Sequence, residues 1–443
     1  MSTGRLLRHL AARGAFQWFP GGALRAYKLR RLRATLELCA ARVPLYAEKF
    51  RKAGVAPADL RRIEDLAAFP LVTREEVIDA YPDGVLSRKP LPGDVLFRTS
   101  GTSGRFMQVA YSAQANDVLD AVYGRALFNT GYKPWDTIAY YWWEAEPKPL
   151  RPYERLGLMR KHFMQVHPDP EQQLRELDAL EPDVIYHFPS SMLLVAQLLE
   201  GHRAAHRVSP RLIVCHGELM TTEQRAYIER VFGCPVFDQY GAQEFNRMGC
   251  DCAHHRGFHE DSDSVHLEFL AGGRPAGPNE EGEIVVTGLA NDLMPLVRYR
   301  IGDTGYSTTE RCPCGRALPL FRLTEGRLDD VLHLPDGRRI GPRTLAPRIE
   351  RLRGFHQYRV LQRQPGVLEV LLVCNGDADS ELEGRVCSVV RDVVGPEVSV
   401  TASRVPEITL SRRGKLRKIV GLQSVLKSTL GDDRPRPLGA LSR

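Results

Sequence analysis

Short apolar runs that alternate with helical patterns constrain the fold of this chain more than any other feature of its sequence. Because strands that alternate with helices usually form parallel βαβ units, the pattern predicts a large α/β body. Two further apolar runs, 265–270 and 282–287, follow each other without a helix between them, which predicts a hairpin or small barrel. The alternation predicts strands at 95–98, 137–143, 184–188, 212–215 and 236–239, and helices at 171–180, 192–199 and 222–232.

The two ends of the chain show other patterns. The first ~90 residues have helical periodicity. After residue 326 the order of helices and strands is that of a small α+β domain of the split βαβ type. We therefore predict a large N-terminal body of mixed sheets flanked by helices (1–327), a small C-terminal α+β, ferredoxin-like domain (328–430) and a disordered tail (431–443). The C-terminal elements are predicted at 344–352, 358–362, 368–374, 380–394 and 398–405.

Composition limits the function classes. The chain has 443 residues, and 43% of them are hydrophobic, which is enough for a sizeable core. No apolar run approaches the ~18 residues of a membrane span, and the N-terminus lacks the apolar core of a signal peptide. We therefore expect a cytoplasmic protein without a membrane span. The net charge of +7 suits binding of anionic nucleotides but is too small to indicate nucleic-acid binding.

The N-terminal segment is strongly basic and has no acidic residue before Glu37. It is either an arm that faces phosphates or a membrane, or a solvated helix face. The basic residues are Arg5, Arg8, Arg13, Arg25, Lys28, Arg30, Arg31 and Arg33.

A loop rich in glycine and small hydroxyl residues directly follows the apolar run 95–97. Such a loop lets backbone N–H groups approach a polyphosphate closely, and its hydroxyls add further donors. It lacks the Gly-Lys-Ser/Thr ending of a P-loop NTPase, which excludes that class of site. The loop residues are Thr99, Ser100, Gly101, Thr102, Ser103 and Gly104.

Four more motifs follow the loop in a fixed order, at 240–244, 298–303, 326–330 and 411–415. With these five motifs, the sequence resembles the adenylate-forming superfamily of acyl-CoA synthetases. It is most similar to the phenylacetate–CoA ligase-like branch, which includes capsular-polysaccharide-type adenylating proteins. The resemblance covers about residues 34–420. It implies an AMP-forming acid–thiol ligase that uses ATP, Mg²⁺ and coenzyme A.

The resemblance also implies roles for individual residues. The loop at 99–104 would bind the β- and γ-phosphates, and Lys415 would contact the acid carboxylate or the α-phosphate. The family usually has Pro-Arg before the hydroxyl residue of this lysine motif, whereas Thr409-Leu410 stand here. The remaining roles are Glu244 for Mg²⁺, Tyr240 and Gly241 for adenine, Asp303 for the ribose hydroxyls, Arg327 for phosphate or ribose, and Glu218 beside the nucleotide or the acid. The resemblance further implies that Asp329 is the hinge of a mobile C-terminal domain.

Aromatic and small polar residues end two of the predicted strands. Because ligands in open α/β sheets bind at the carboxyl ends of strands, these segments should border the acid pocket. An aromatic wall suits an aryl acid, although aromatic residues in apolar runs are also common in cores. The pocket residues predicted on this basis are Tyr140, Trp142, His187, Pro189 and Ser190.

Four soft ligands occur in two close pairs, Cys252 with His259 and Cys312 with Cys314. Such a set fits a closed, structural zinc site without an open catalytic position. Cys250, His254 and His255 compete for the first pair, and the alternative is a group of reduced thiols without metal.

The acyl acceptor stays open at this level. Transfer of an aromatic or related carboxylic acid to coenzyme A is the leading hypothesis, and an amine or a carrier-protein thiol is the alternative acceptor. A zinc-stabilised nucleic-acid-binding protein would leave the five motifs unexplained, and a pseudo-enzyme is the remaining alternative. We expect no nucleic-acid partner and either a monomer or a homodimer.

Overall fold

The structure is a computed structural model of the chain. It describes residues 3–100, 106–142, 150, 152–166, 169–324, 331–352, 354–374, 379–408 and 416–422. The predicted loop residues 101–104, the hinge and lysine positions and the predicted tail lie outside these ranges.

Helices occupy most of the N-terminal 80 residues, as predicted. The third of them begins with Pro44 in its first turn and ends at Gly54, whose φ of 66° is left-handed. The fourth begins with a capping box in which Thr73 and Glu76 each accept from the other's backbone N–H. Numbered in chain order, these helices are α1 Thr3–Phe16, α2 Gly21–Arg42, α3 Pro44–Ala53 and α4 Arg74–Ala80.

A two-stranded antiparallel hairpin and a long helix connect this region to the main sheet. Ser112 caps the helix by accepting from the backbone N–H of Ala115. These elements are β1 Val95–Ser100, β2 Phe106–Tyr111 and α5 Ala113–Asn129.

Five parallel strands form one half of the main sheet, in the order β4-β3-β5-β6-β7. This confirms the predicted βαβ units. The edge strand β4 was not predicted. The elements are β3 Ile138–Trp142, α6 Pro152–Arg155, β4 Lys161–Gln165, α7 Pro170–Leu180, β5 Val184–His187, α8 Pro189–His202, β6 Leu212–His216, α9 Thr222–Phe232 and β7 Val236–Ala242.

The other half of the same twelve-stranded sheet is antiparallel and continues from β7 in the order β8-β9-β14-β13-β12-β10-β11. The predicted hairpin is confirmed, because β10 pairs antiparallel with β12 from Val265 opposite Gly288 onward. The strands are β8 Asn246–Cys250, β9 Phe258–Glu260, β10 Val265–Ala271, β11 Arg274–Pro275, β12 Gly282–Gly288, β13 Tyr299–Thr308 and β14 Leu320–Leu323.

Residues 331–422, hereafter the C-terminal unit, form a four-stranded sheet in the order β19-β18-β17-β20 with two helices. All five predicted elements are present. The strands that flank the second helix, β18 and β19, are direct parallel neighbours, and the short β15–β16 hairpin forms a separate two-stranded sheet. This differs from the split arrangement. The elements are β15 Leu332–His333, β16 Arg339–Ile340, α10 Pro342–Glu350, β17 Phe355–Gln364, β18 Val367–Cys374, α11 Leu382–Val394, β19 Ser399–Arg404 and β20 Ile419–Val420.

The apolar cores follow the same division. One large cluster joins α2–α4 to the antiparallel half of the sheet, and two clusters cover the faces of the parallel half. The C-terminal unit has its own cluster, which extends from Leu332 to Ile419. Residues 3–324, hereafter the body, and the C-terminal unit therefore bury separate cores.

Two basic residues of the N-terminal segment form ion pairs with carboxylates of the antiparallel half of the sheet and its connections. Lys28 is 7% exposed, and its ammonium lies 2.5 Å from the carboxylate of Glu260. Arg13 lies 3.4 Å from Asp263, which also accepts from the buried Arg125. For these two residues the expectations of a solvated helix face and of an arm that faces phosphates or a membrane were both wrong, because their charges neutralise buried carboxylates.

The described helices contain none with the length and apolar character needed to cross a bilayer.

Candidate active site and metal cluster

Two of the predicted nucleotide residues meet at the carboxyl end of β7. The phenol of Tyr240 donates a hydrogen bond of 2.7 Å to the carboxylate of Asp303 on β13. Tyr240 packs against Phe258 and Phe321, with ring centroids 6.2 and 5.8 Å away. Two motifs that are 63 residues apart in the chain are thus joined by one hydrogen bond.

At Gly241 the backbone of β7 comes very close to the backbone of β8. A Cβ at this position would lie 2.4 Å from the carbonyl oxygen of Asn246. A side chain here would force the β7–β8 hairpin apart, so the close approach requires glycine.

Glu244 lies in the turn between β7 and β8. Its carboxylate is 3.2 Å from the guanidinium of Arg74, the first residue of α4, and its side chain is only 11% exposed. The hydroxyl of Tyr111 on β2 donates to the carbonyl of Gln243 beside it. The β1–β2 hairpin that leads into and out of the predicted phosphate loop is thus attached to the turn that carries Glu244.

The predicted phosphate loop is described only in part. Thr99 and Ser100 are the last residues of β1 and pair with Met107 and Phe106. The predicted residues Gly101, Thr102, Ser103, Gly104, Arg327, Asp329 and Lys415 lie outside the part of the chain that the structure describes.

Glu218 follows β6 and contacts the first turn of α8. One carboxylate oxygen accepts from the backbone N–H of Ser190 at 3.0 Å. The other is buried and has no hydrogen-bond partner among the residues that the structure describes. Glu218 and Ser190 are thereby brought together with Pro189, the first residue of α8.

One face of the parallel sheet carries a stack of aromatic rings. Tyr140 and Tyr186 are paired across β3 and β5, and their rings stack 4.6 Å apart at 7°. His216 stacks on Tyr186 at 4.4 Å and lies 6.1 Å from Trp142. Trp142 and His216 end their strands, so the stack reaches the carboxyl edge of the sheet.

His187 does not join this stack. Successive strand residues point to opposite faces, and His187 lies on the other face, where its ring stacks on Tyr141 at 3.9 Å. Its Nε2 is 2.7 Å from Gln173, and its Nδ1 accepts from the backbone of Phe188. Complete burial lowers the pKa of His187 to about 3, so the ring is neutral.

The cysteine cluster is brought together from three segments of the chain. The donor atoms of Cys252, His259, Cys312 and Cys314 all lie within 4.8 Å of one another. The sulfurs of Cys252 and Cys312 are 3.5 Å apart, and Nε2 of His259 is 3.4 Å from the sulfur of Cys314. In a tetrahedral zinc site with Zn–S bonds of about 2.3 Å, ligand atoms are about 3.6–3.8 Å apart, so this set of three sulfurs and one nitrogen can close around the ion with small shifts.

Backbone amides support two of the sulfurs. Burial raises the pKa of Cys252 to about 12, and a hydrogen bond from the backbone of His254 acts against it. Burial acts in the same direction on Cys314, but hydrogen bonds from Arg316 bring its pKa below the ordinary value. Such donors stabilise thiolates, the form that binds metal.

The competing ligands are placed elsewhere. Cys250 is buried and is not in the cluster, and burial raises its pKa to about 12. His255 is bound to Asp251 at 2.8 Å and to Arg225. The geometry therefore favours Cys252 over Cys250 as the first sulfur ligand.

Sequence reasoning missed two residues of the site. Arg74 contacts Glu244 across 170 residues of chain, and no local motif marks it. Tyr186 belongs to a predicted strand, and its alternation with His187 could have placed it on the face of Tyr140.

The similarity to known proteins extends over most of the chain. No family model matches it. A phenylacetate–coenzyme A ligase of Escherichia coli is 30% identical over 325 residues, which are 70% of this chain and 72% of that protein. A phenylacetate–coenzyme A ligase of Pseudomonas putida is 29% identical over 380 residues, which are 81% and 80% of the two chains.

Solved structures agree on the fold. A 2-hydroxyisobutyryl-CoA ligase in its postadenylation state superposes with a TM-score of 0.77 at 18% identity, covering 94% of both chains. An anthranilate–CoA ligase with anthranoyl-AMP gives a TM-score of 0.56 at 13% identity over 75% of this chain and 66% of that one. At such identities the likeness concerns the fold alone. The sequence relatives decide the family, and the chain belongs to the phenylacetate–coenzyme A ligase family.

Proposed function

We propose that this protein uses ATP to convert a carboxylic acid into its acyl-adenylate and then transfers the acyl group to coenzyme A. The hydrogen bond between Tyr240 and Asp303 carries the proposal, because it joins two separate nucleotide motifs at one edge of the sheet. Membership of the phenylacetate–coenzyme A ligase family supports the same reaction.

In the first half-reaction a carboxylate oxygen attacks the α-phosphorus of ATP. The bond from this phosphorus to the bridging oxygen breaks, and pyrophosphate leaves with the electron pair. Catalysis of such a step depends on positioning and charge stabilisation. In our proposal the loop 99–104 binds the β- and γ-phosphates, and Asp303 accepts from the ribose hydroxyls. Arg327 contacts the phosphate or the ribose, and Lys415 contacts the acid carboxylate or the α-phosphate.

Glu244 is the residue proposed to hold Mg²⁺. A carboxylate is a hard oxygen ligand of the kind that Mg²⁺ prefers, and this one is nearly buried beside the hairpin that leads to the phosphate loop. When bound, the ion would neutralise charge on the phosphates. Arg74 holds the carboxylate in place at 3.2 Å.

In the second half-reaction the sulfur of coenzyme A attacks the acyl carbonyl, AMP leaves, and the thiol proton passes to solvent. We propose that the domain boundary lies at residues 327–328 and that Asp329 is the hinge about which the C-terminal domain moves between the two steps. The separate apolar cores of the body and the C-terminal unit support this division.

The acid is proposed to be aromatic and to bind against Tyr140 and Trp142. The support is the ring stack at the carboxyl edge of the sheet, with Pro189 and Ser190 at the start of the adjoining helix. Flat rings favour offset or edge contacts with such a wall.

The cluster of Cys252, His259, Cys312 and Cys314 is proposed to hold a structural zinc ion. Its four protein donors leave no open position for substrate. Cys312 and Cys314 lie in the connection between β13 and β14, Cys252 lies in the connection between β8 and β9, and His259 lies on β9. Zinc would therefore cross-link these two connections and β9 in the antiparallel half.

An acid-dependent pyrophosphate-release assay tests the proposal. Aryl and aliphatic acids would be screened with ATP and Mg²⁺, each with and without coenzyme A. We expect release with particular aryl acids, and a thioester detected by mass when coenzyme A is present. Release without thioester formation would favour an amine or a carrier-protein thiol as the acceptor. No release with any acid, from folded and metal-replete protein, would count against adenylation.

A further inference from the structure

The carboxylate of Glu350 connects the C-terminal unit to the body. Glu350 is the last residue of α10, and its Oε1 accepts three hydrogen bonds. Two come from its own unit, at 3.0 Å from the hydroxyl of Tyr358 and at 2.9 Å from the ammonium of Lys418. The third comes from Nε2 of Gln224 on α9 of the body, at 3.0 Å.

This contact is shielded from water. The side chain of Glu350 is 9% exposed and that of Lys418 is 17% exposed, and Gln224 is also buried. Loss of a donor to a buried carboxylate costs more than loss of a surface ion pair. The neighbouring pair, Arg351 and Glu223, also joins the two parts, but it is exposed and 3.6 Å long and contributes little.

The position of Gln224 makes the contact relevant to the reaction. Gln224 is the third residue of α9, which follows β6. In a βαβ unit the first turn of the helix lies near the carboxyl edge of the preceding strand. That edge of the sheet carries His216 and Tyr240. A C-terminal unit attached to this turn is therefore held beside the edge where we place the substrates.

Lys418 has a partner in this arrangement. Its ammonium is bound to Glu350, and its backbone carbonyl accepts from Val360 in the adjoining strand. In this arrangement Lys418 supports the carboxylate of Glu350.

We propose that Gln224 and Glu350 form a docking contact that positions the C-terminal unit on the body for the adenylation step. The inference rests on the proposed function, in which Lys415 of the C-terminal unit must reach the nucleotide. Gln224 and Glu350 are positioning residues that act through this placement.

The substitution Gln224→Glu separates docking from folding. Oε1 of Gln224 accepts from the backbone of Thr221 at 3.1 Å in a capping box, and glutamate serves this role equally well. The variant loses only the Nε2 donor and places a second carboxylate against Glu350. We expect pyrophosphate release to fall about tenfold, because a hydrogen bond to a charged group is lost. Transfer from a separately supplied acyl-adenylate to coenzyme A should stay within about twofold, and the melting temperature should not change.

Gln172→Glu is the matched control. Gln172 is also the third residue of its helix, α7, and its Nε2 also donates to a glutamate, Glu176, at 3.1 Å. Its partner lies within the same helix, so this variant should adenylate like the wild type. The double variant, Gln224→Glu with Glu350→Gln, has a donor and an acceptor across the contact again. It should recover most of the pyrophosphate release.

Small-angle X-ray scattering measures docking without any turnover. The radius of gyration should be larger for Gln224→Glu than for Gln172→Glu. In the double variant it should return to the wild-type value. The proposal would be overturned if the two single variants had the same radius of gyration. It would also be overturned if the double variant recovered neither the radius of gyration nor the pyrophosphate release lost in Gln224→Glu. If no acid supports pyrophosphate release, the proposed function fails, and scattering still decides whether the contact docks the unit.

Discussion

The sulfurs of Cys252 and Cys312 lie 3.5 Å apart although sixty residues of chain separate them. With His259 and Cys314 they form a donor set that fits zinc, so we predict that Cys312→Ser loses the metal, because a hydroxyl is a poor ligand for zinc. Metal analysis should show about one zinc per wild-type chain and a small fraction of that in the variant, with a lower melting temperature. Cys250→Ser, outside the cluster, should retain zinc. Equal zinc in Cys312→Ser and wild type would contradict the assignment.

Tyr240→Phe should weaken ATP binding. The variant removes the donor to Asp303, a hydrogen bond to a charged group, and we expect the KM for ATP to rise about tenfold with little change in melting temperature. Steady-state pyrophosphate release measures this. Tyr46→Phe is the control, because the Tyr46 hydroxyl is bonded to the backbone of Val297 in the core and should affect stability alone. A KM for ATP equal to that of the wild type would contradict the assignment of Asp303 and Tyr240 to the nucleotide site.

Trp142→Ala should raise the KM for the acid and leave that for ATP unchanged. The reason is that Trp142 ends the ring stack at the sheet edge, where we place the acid. We expect about a tenfold increase for an aryl acid from lost ring contacts and burial. Tyr141→Phe, on the opposite face, serves as the comparison. An acid KM unaffected in Trp142→Ala would place the acid elsewhere.

His187 should make the fold sensitive to acid. Burial holds its pKa at about 3 in the folded chain, whereas an unfolded chain takes up a proton near pH 6.5. The unfolded state therefore binds more protons below pH 6.5, and the free energy of unfolding falls by about 1.4 kcal/mol per pH unit between there and the folded pKa. Between pH 7 and pH 5 the free energy of unfolding should fall by about 2 kcal/mol less in His187→Asn than in the wild type. Urea titrations at the two pH values decide this, and parallel losses would refute it.

Lys415→Ala should abolish adenylation and leave ATP binding largely intact. The lysine contacts the acid carboxylate or the α-phosphate in the proposed mechanism, so its loss affects the chemical step. Calorimetric titration with ATP and acid-dependent pyrophosphate release separate the two effects. Arg413→Ala, which removes a neighbouring positive charge, provides the comparison. Undiminished pyrophosphate release by Lys415→Ala would move the catalytic lysine elsewhere, with Lys418 the first alternative despite its bond to Glu350.

The parallel half of the sheet could be predicted because its strands are continuous apolar runs separated by helical periodicity. Strands such as β8 and β9 could not. Phe258–Glu260 has three residues, and Asn246–Cys250 contains Arg247, whose charge is buried against Asp261. Their pairing depends on neighbours distant in sequence, which no local pattern records.

The same distinction applies to the site. Motif residues such as Tyr240 and Asp303 could be named because their type and order carry the resemblance. The interactions of Arg74 with Glu244 and of Gln224 with Glu350 span more than a hundred residues and involve ordinary surface residue types. Only the folded chain shows that they meet.

The sheet that carries Trp142, Tyr240 and Asp303 is continuous across twelve strands. Neighbouring strands keep a spacing of about 4.8 Å that hydrogen bonds hold nearly constant. In our proposal the acid and the nucleotide both contact this sheet, so the strand spacing sets the distance between Trp142 and the pair of Tyr240 and Asp303, while the loop 99–104 contacts the phosphates. A new acid preference would then arise from different side chains in the ring stack, without a change in the strands. The C-terminal unit would remain the part of the site that moves.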